Sequence, residues 1–182
     1  MTEAEVALNL AFHLLALPKS AREIDVSLDG AQVSVGGAEV FPLVTFLAHH
    51  GWKQVTQSGK NPWQGAYVRG EHGLRINCRS GVGDVVCVVG SHRVRAECKK
   101  GPLVATKGNP EYPRLREALG QVLTVEAVDE HDMLVVAVPH SAKFKQLAEL
   151  WSVRPMMRRV GIRIALVARG GTVTGLEDLS SL

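Results

Sequence analysis

Three residues in the middle of the chain have the types and spacing that chemistry needs. Asp84 is followed, after twelve residues, by Glu97-Cys98-Lys99. Between them, Gly90-Ser91 carries the glycine-first signature of a two-residue hairpin turn. A turn there pairs Val89 with His92. Counting outward brings Asp84 opposite Glu97 as a non-hydrogen-bonded pair, where side chains approach most closely. Like charges facing each other destabilise a hairpin, so two carboxylates are tolerated there when a proton or a cation lies between them. Hard oxygen ligands suit Mg²⁺ or Mn²⁺. Lys99 stands two residues beyond Glu97 and projects from the same face. An ammonium beside such a cation can orient or deprotonate a water, or stabilise a pentavalent phosphate. The plainer reading makes Asp84 a strand-start cap and pairs Glu97 with Lys99 as exposed charges.

These side chains need a hairpin with one buried face. The opposite face reads Val85, Cys87 and Val89 against Ala96, Val94 and His92, an almost purely apolar set. The charged face also carries Arg93 and Arg95, which would hold a phosphate backbone or meet solvent. Around the hairpin, the patterning predicts a helix over 4–17 with a Thr2 cap and Glu5 placed as in a capping box. It predicts a small hairpin joining 23–28 to 32–35 through Asp29-Gly30, then a helix over 39–50 stopped by Gly51. Strands follow at 53–56, 66–69, 74–78, 84–89 and 92–99. Then come a helix over 112–123, a buried strand over 133–138, a helix over 141–151 and a strand over 162–167. Antiparallel strands followed by helix-linked strands imply an α/β fold, a mixed sheet covered by helices.

Gly83-Asp84, twelve residues, then Glu97-Cys98-Lys99 on the two arms of a tight hairpin resembles the signature of the PD-(D/E)xK nucleases. That superfamily includes restriction endonucleases and Holliday-junction resolvases. Gly83 replaces the proline common before the aspartate. The family's core runs helix, three-strand meander, helix, strand, so the resemblance implies a restriction-endonuclease-like αβββαβ core. It implies a single nuclease domain, with residues 37–170 as core and 1–36 as a helix-and-hairpin extension. Asp84 and Glu97 would ligate Mg²⁺ or Mn²⁺ with the backbone carbonyl of Cys98, and Lys99 would assist the water. Gln121 matches a glutamine that some branches place on the helix after the E-x-K strand, although Val125 stands where they carry a tyrosine. Glu39, on the first core helix, would add an acid to the metal. Arg93, Arg95, Lys100, Lys60 and Trp63 would contact nucleic acid. The implied activity is a metal-dependent DNA endonuclease leaving a 5′-phosphate and a 3′-hydroxyl, in restriction, defence or repair. The alternative is a nuclease-fold binding or assembly subunit with weak or no cleavage, and RNA is a further possible substrate.

The bulk numbers agree with this class. The chain has 182 residues, 46% hydrophobic and 21% charged, which favours one folded domain over disorder. Cys78, Cys87 and Cys98 form no C-x-x-C, so a disulfide scaffold or zinc ribbon is not expected and a cytoplasmic setting is. The apolar run over 6–17 follows an acidic Thr2-Glu3-Ala4-Glu5, where a secretory signal needs positive charge, and it is too short to span a bilayer. It reads as a buried helix or a dimer-interface helix. Net charge is only +3, but residues 51–107 hold ten Lys/Arg against three Asp/Glu, enough for a phosphate-attracting face. No H-E-x-x-H, G-x-S-x-G or complete phosphate loop is present. Cutting both strands of DNA needs two active sites, so a homodimer is expected. The N-terminal helix and residues 151–159 are the candidate contacts, and a partner protein could supply specificity instead.

Overall fold

The computed structural model describes residues 1–104 and 106–181. In chain order the elements begin with α1 (Glu3–Leu15), β1 (Glu23–Ser27), α2 (Gly30–Val33), β2 (Ser34–Val35), β3 (Ala38–Glu39) and α3 (Leu43–His49). Then come β4 (Lys53–Gln57), β5 (Gly65–Arg69), β6 (His72–Asn77), β7 (Val85–Val89) and β8 (His92–Cys98). The chain continues with α4 (Glu111–Val122), β9 (Asp132–Pro139), α5 (Ala142–Ser152), α6 (Pro155–Val160), β10 (Arg163–Val167), β11 (Val173–Thr174) and a 3₁₀ turn at Glu177–Ser181. Nine strands form one sheet in the order β11-β10-β9-β8-β7-β1-β6-β5-β4. The pairs β8–β9, β9–β10 and β1–β6 are parallel and the others antiparallel. The fold is therefore mixed α/β, a mostly antiparallel large sheet flanked by helices.

Side-chain alternation along the central strands builds two cores. In β9, Val135 and Ala137 face α1, whereas Leu134, Val136 and Val138 face α4 and α5. A strand buried on both sides has to read as a continuous apolar run, and β9 does. α1 is the central helix of the first core. Its residues Ala4, Val6, Leu8, Leu10, Ala11 and Leu14 are fully buried. Thr2 Oγ1 accepts the Glu5 N–H at 3.1 Å, as a cap should. Glu5 does not return the bond, because its carboxylate pairs with Arg169 at 2.8 Å. Among the described residues no helix is long and apolar enough to cross a membrane.

Two parts of the sequence reading are corrected. Residues 23–35 are not a hairpin. Asp29 accepts the Ala31 N–H at 3.1 Å and starts the helical turn α2, an alternative use of an Asp-Gly pair. β1 instead lies inside the large sheet, parallel to β6 and antiparallel to β7. The first 36 residues thus supply a central strand and the main covering helix, and are not an extension. Second, α3 begins only at Leu43, after Pro42, and Glu39 lies in the two-residue strand β3. Proline fixes its own φ and disfavours helix at the residue before it, so the expected 39–50 helix loses its first turn. Its apolar stripe also narrows, with Leu43 and Leu47 buried and Val40 and Val44 exposed.

Candidate active site

The β7–β8 hairpin pairs Val89 with His92 and continues in register to Val85 opposite Ala96. Gly90 sits at φ 60, the left-handed conformation that a glycine-first turn requires. Val85, Cys87, Val89, Val94 and Ala96 are all buried toward α1. Asp84 lies one residue beyond the regular ladder. Its N–H donates to the Ala96 carbonyl at 2.8 Å, and its own carbonyl accepts the Ser27 N–H at 2.7 Å. Its carboxylate Oδ2 accepts the Cys98 N–H at 2.8 Å. The Asp84 backbone is therefore held by both neighbouring strands, and its side chain is held against the end of β8. Gly83 stands at φ 102. A proline ring cannot adopt that angle, so the glycine before the aspartate is a local requirement of this loop.

Asp84, Glu97 and Lys99 open into one cleft of about 430 Å³, and Glu3 and Gln121 line it with them. Glu3 comes from the first turn of α1. The Lys99 ammonium is 3.3 Å from Glu3 Oε1 and 3.8 Å from Glu117 Oε1, and its side chain is only 5% exposed. Gln32 on α2 donates its amide to the same Glu3 oxygen at 2.9 Å. Its own Oε1 is buried with no hydrogen-bond partner among the described residues. The lining holds four carboxylates, Glu3, Asp29, Asp84 and Glu97, against two cations, Arg79 and Lys99.

This crowding shows in the proton affinities. The Asp84 carboxyl is pushed up to about 7, first by burial and then by the charge of Glu97. Glu97 is also raised, mainly by burial, with Lys99 opposing the shift. Two half-buried acids close together resist ionising side by side, and a proton or a cation between them relieves the repulsion. The donors are hard oxygens, and Gln32, whose buried Oε1 has no hydrogen-bond partner among the described residues, lines the same cleft, so the set fits Mg²⁺ or Mn²⁺. Among the described residues, however, no three His, Cys, Asp or Glu side chains already converge as a ready-made cation cage. No family model, curated protein or solved structure matches the chain. The site's chemistry rests on its own geometry.

The other residues singled out in the sequence divide into two groups. Gln121 reaches the cleft, and Val125 lines it too. Cys98 lies beside Asp84 and gives it a backbone N–H. Lys60 and Lys100 are exposed but do not line the cleft. Glu39 is exposed on β3, also outside the cleft, and the acid that the first covering helix brings in is Glu3. Arg93 and Arg95 are engaged. Arg93 bonds Asp132 and, at 2.7 Å, Asp129, and Arg95 reaches Asp132 at 3.1 Å. Trp63 is 6% exposed within the core, so its ring is not offered to a base. Its carbonyl accepts the Tyr67 hydroxyl at 2.8 Å.

Sequence reasoning missed Glu3, Gln32 and Arg79. In the sequence Glu3 reads as part of a helix start. No local signal ties it to Lys99, which lies 96 residues away. Gln32 falls in the expected 32–35 strand, of which only Ser34–Val35 forms, and it sits instead on α2. Arg79 follows β6 in a glycine-containing loop, and an arginine next to Ser80-Gly81 was the available hint.

Proposed function

We propose that the chain is a divalent-metal-dependent phosphodiesterase of the PD-(D/E)xK kind, cutting DNA. The observation that carries this reading is the meeting of Asp84, Glu97 and Lys99, with Glu3 and Gln121, in one cleft at the end of a hairpin. The element order supports it. α1, β1, β7, β8, α4 and β9 follow one another as helix, three-strand meander, helix and strand once residues 28–84 are treated as an excursion. Their strands are sheet neighbours in the order β1-β7-β8-β9. On this reading the expected core would use a different first helix and first strand from those the sequence suggested.

Asp84 and Glu97 would hold the cation, with the Cys98 carbonyl as a further ligand and Glu3 as the additional acid. Such an ion would supply Lewis-acid polarisation of a phosphoryl oxygen. The protein's own groups do the rest. The Cys98 N–H and the Ser27–Asp84 backbone bond fix where the Asp84 carboxylate points. Lys99, buried beside Glu3, is placed to steady an attacking water or the developing charge on phosphorus. Gln121 on α4 closes the cleft from the helical side. A lining richer in carboxylates than in cations repels a polyanion unless divalent charge is present, which agrees with a metal requirement.

A second reading has one observation in its favour. Lys99 Nζ faces two glutamates, as a lysine does when it braces an acid at the end of α1. On that reading the chain is a nuclease-fold assembly subunit. Plasmid nicking in Mg²⁺ or Mn²⁺ separates the two. Lys99→Ala is expected to lower the nicking rate about 100-fold or more, the usual loss when a transition-state donor is removed. Equal nicking by parent and variant would remove the catalytic role. Calorimetric binding of Mn²⁺ that disappears in Asp84→Asn is expected of the nuclease, whereas an assembly subunit has no need of it.

A further inference from the structure

Most arginines on the central strands, and the lysine in the cleft, are already committed. Lys99 is paired with Glu3 and Glu117, Arg93 and Arg95 with Asp132, and Arg75 with Glu23 and Asp25. Arg79 differs. It lines the cleft, it is exposed, and among the described residues no carboxylate pairs with it.

Its loop is also built rather than loose. The Arg79 N–H donates to Asn77 Oδ1 at 2.9 Å, and the Ser27 hydroxyl donates to the same oxygen at 2.9 Å. The Ser27 N–H bonds the Asp84 carbonyl at 2.7 Å. One buried serine on β1 therefore pins both ends of the segment from Asn77 to Asp84. Cys78, next to Arg79, takes the Gln64 amide at 3.1 Å, and Gln64 also accepts the Asn61 N–H at 2.8 Å. The loop is thus tied to its neighbour over 58–64. Gly81 and Gly83, at φ 82 and 102, let the chain fold tightly back to Asp84.

Resting on the nuclease reading, we propose that Arg79 is the substrate-positioning cation, holding a backbone phosphate of the nucleic acid beside the acidic cluster. A guanidinium presents a planar fork of donors that matches phosphate oxygens in pairs. The backbone around it is fixed at Asn77 and Asp84, so the root of the side chain stands at a set place relative to the acids and the guanidinium is free to take a phosphate within its reach. It also offsets the repulsion that a cleft lined by four carboxylates exerts on a polyanion.

The test is fluorescence anisotropy with a short labelled DNA duplex in Ca²⁺, read across a salt series. Arg79→Ala should weaken binding about tenfold at low salt and reduce the slope of log affinity against log salt by about one. Arg79→Glu should weaken it further, and Arg79→Lys should recover part of the loss. The urea midpoint should stay near the parent's and a Mn²⁺ binding isotherm should persist in every variant, since the side chain is exposed and pairs with no acid among the described residues. Arg79→Ala binding duplex with the parent's affinity and slope would overturn the proposal, as would a parent that binds no duplex. Failure of the nuclease reading looks different. There the parent binds duplex, with the Arg79 dependence intact, but nicks no DNA in Mg²⁺ or Mn²⁺.

Discussion

Asp84 carries the pH response of the cleft. An aspartate in an unfolded chain titrates near 4, whereas burial and Glu97 push this one to about 7. Below the unfolded value the group is protonated in both states and costs nothing. As pH rises from there through about 7, the unfolded chain gives up the proton more readily, so stability is lost over that window. Glu97, raised in the same direction, adds to the slope. A divalent cation bound by these oxygens would reverse the penalty. Mn²⁺ is therefore expected to raise Tm more at about pH 8 than at about pH 5, because at the lower pH protons occupy the same oxygens. Asp84→Asn should flatten the pH dependence, stabilise the metal-free protein at high pH and abolish the Mn²⁺ shift. Thermal melts with and without Mn²⁺ decide this, and an undiminished shift in Asp84→Asn would remove Asp84 from the ligand set. The asparagine still offers an oxygen to the Cys98 N–H, so the local fold is preserved.

At the scale of elements, β8 is held between an antiparallel hairpin partner and the parallel strand β9. The parallel side depends on more than its ladder. Asp132 opens β9, is the register partner of Arg93, and takes both Arg93 and Arg95 on a fully buried carboxylate. Its carboxyl is held down at about 2, chiefly by the Arg93 hydrogen bond. A depressed acid stabilises above its unfolded pKa, and that stability is lost as pH falls through the folded value. Asp132→Asn is expected to lower the urea midpoint clearly at neutral pH. The gap to the parent should close as pH falls from about 5 toward 2. A gap independent of pH would mean that packing, not charge, holds β9 to β8.

The same elements separate what was legible in the sequence from what was not. The β7–β8 hairpin, α4, β9, α5 and β10 were readable because turn type and apolar period are properties of neighbouring residues. The neighbours of β1 were not, because its partners β6 and β7 lie about fifty and sixty residues on and a strand's pattern does not name its partner. The site divides in the same way. Asp84, Glu97 and Lys99 belong to one hairpin and could be counted from its turn. Glu3 reaches the site only because α1 packs across β1, β7, β8, β9 and β10. Arg93 and Arg95 looked free for phosphate until β9 brought Asp132 beside them.

At the scale of the whole molecule, the cleft that holds Asp84, Glu97 and Lys99 is set, among the described residues, where α1, α2, α4 and the loop before Asp84 meet the ends of β1 and β8. On the nuclease reading, a single copy can therefore cut one strand per encounter, and severing a duplex needs a second cleft aimed at the opposite strand. Apolar side chains exposed around α5 and α6, among them Leu150, Val153 and Met156, are where a second copy could cover surface. Plasmid kinetics read this directly. At low protein concentration nicked circles are expected to accumulate well ahead of linear DNA. Raising the chain concentration should speed the second cut more steeply than the first. Light scattering at the same concentrations should show mass rising from one chain toward two over the range where linear product appears. Linear DNA produced without a nicked intermediate by a chain that scatters as a monomer would exclude the two-copy arrangement, and each cleft would then have to turn to the second strand after cutting the first.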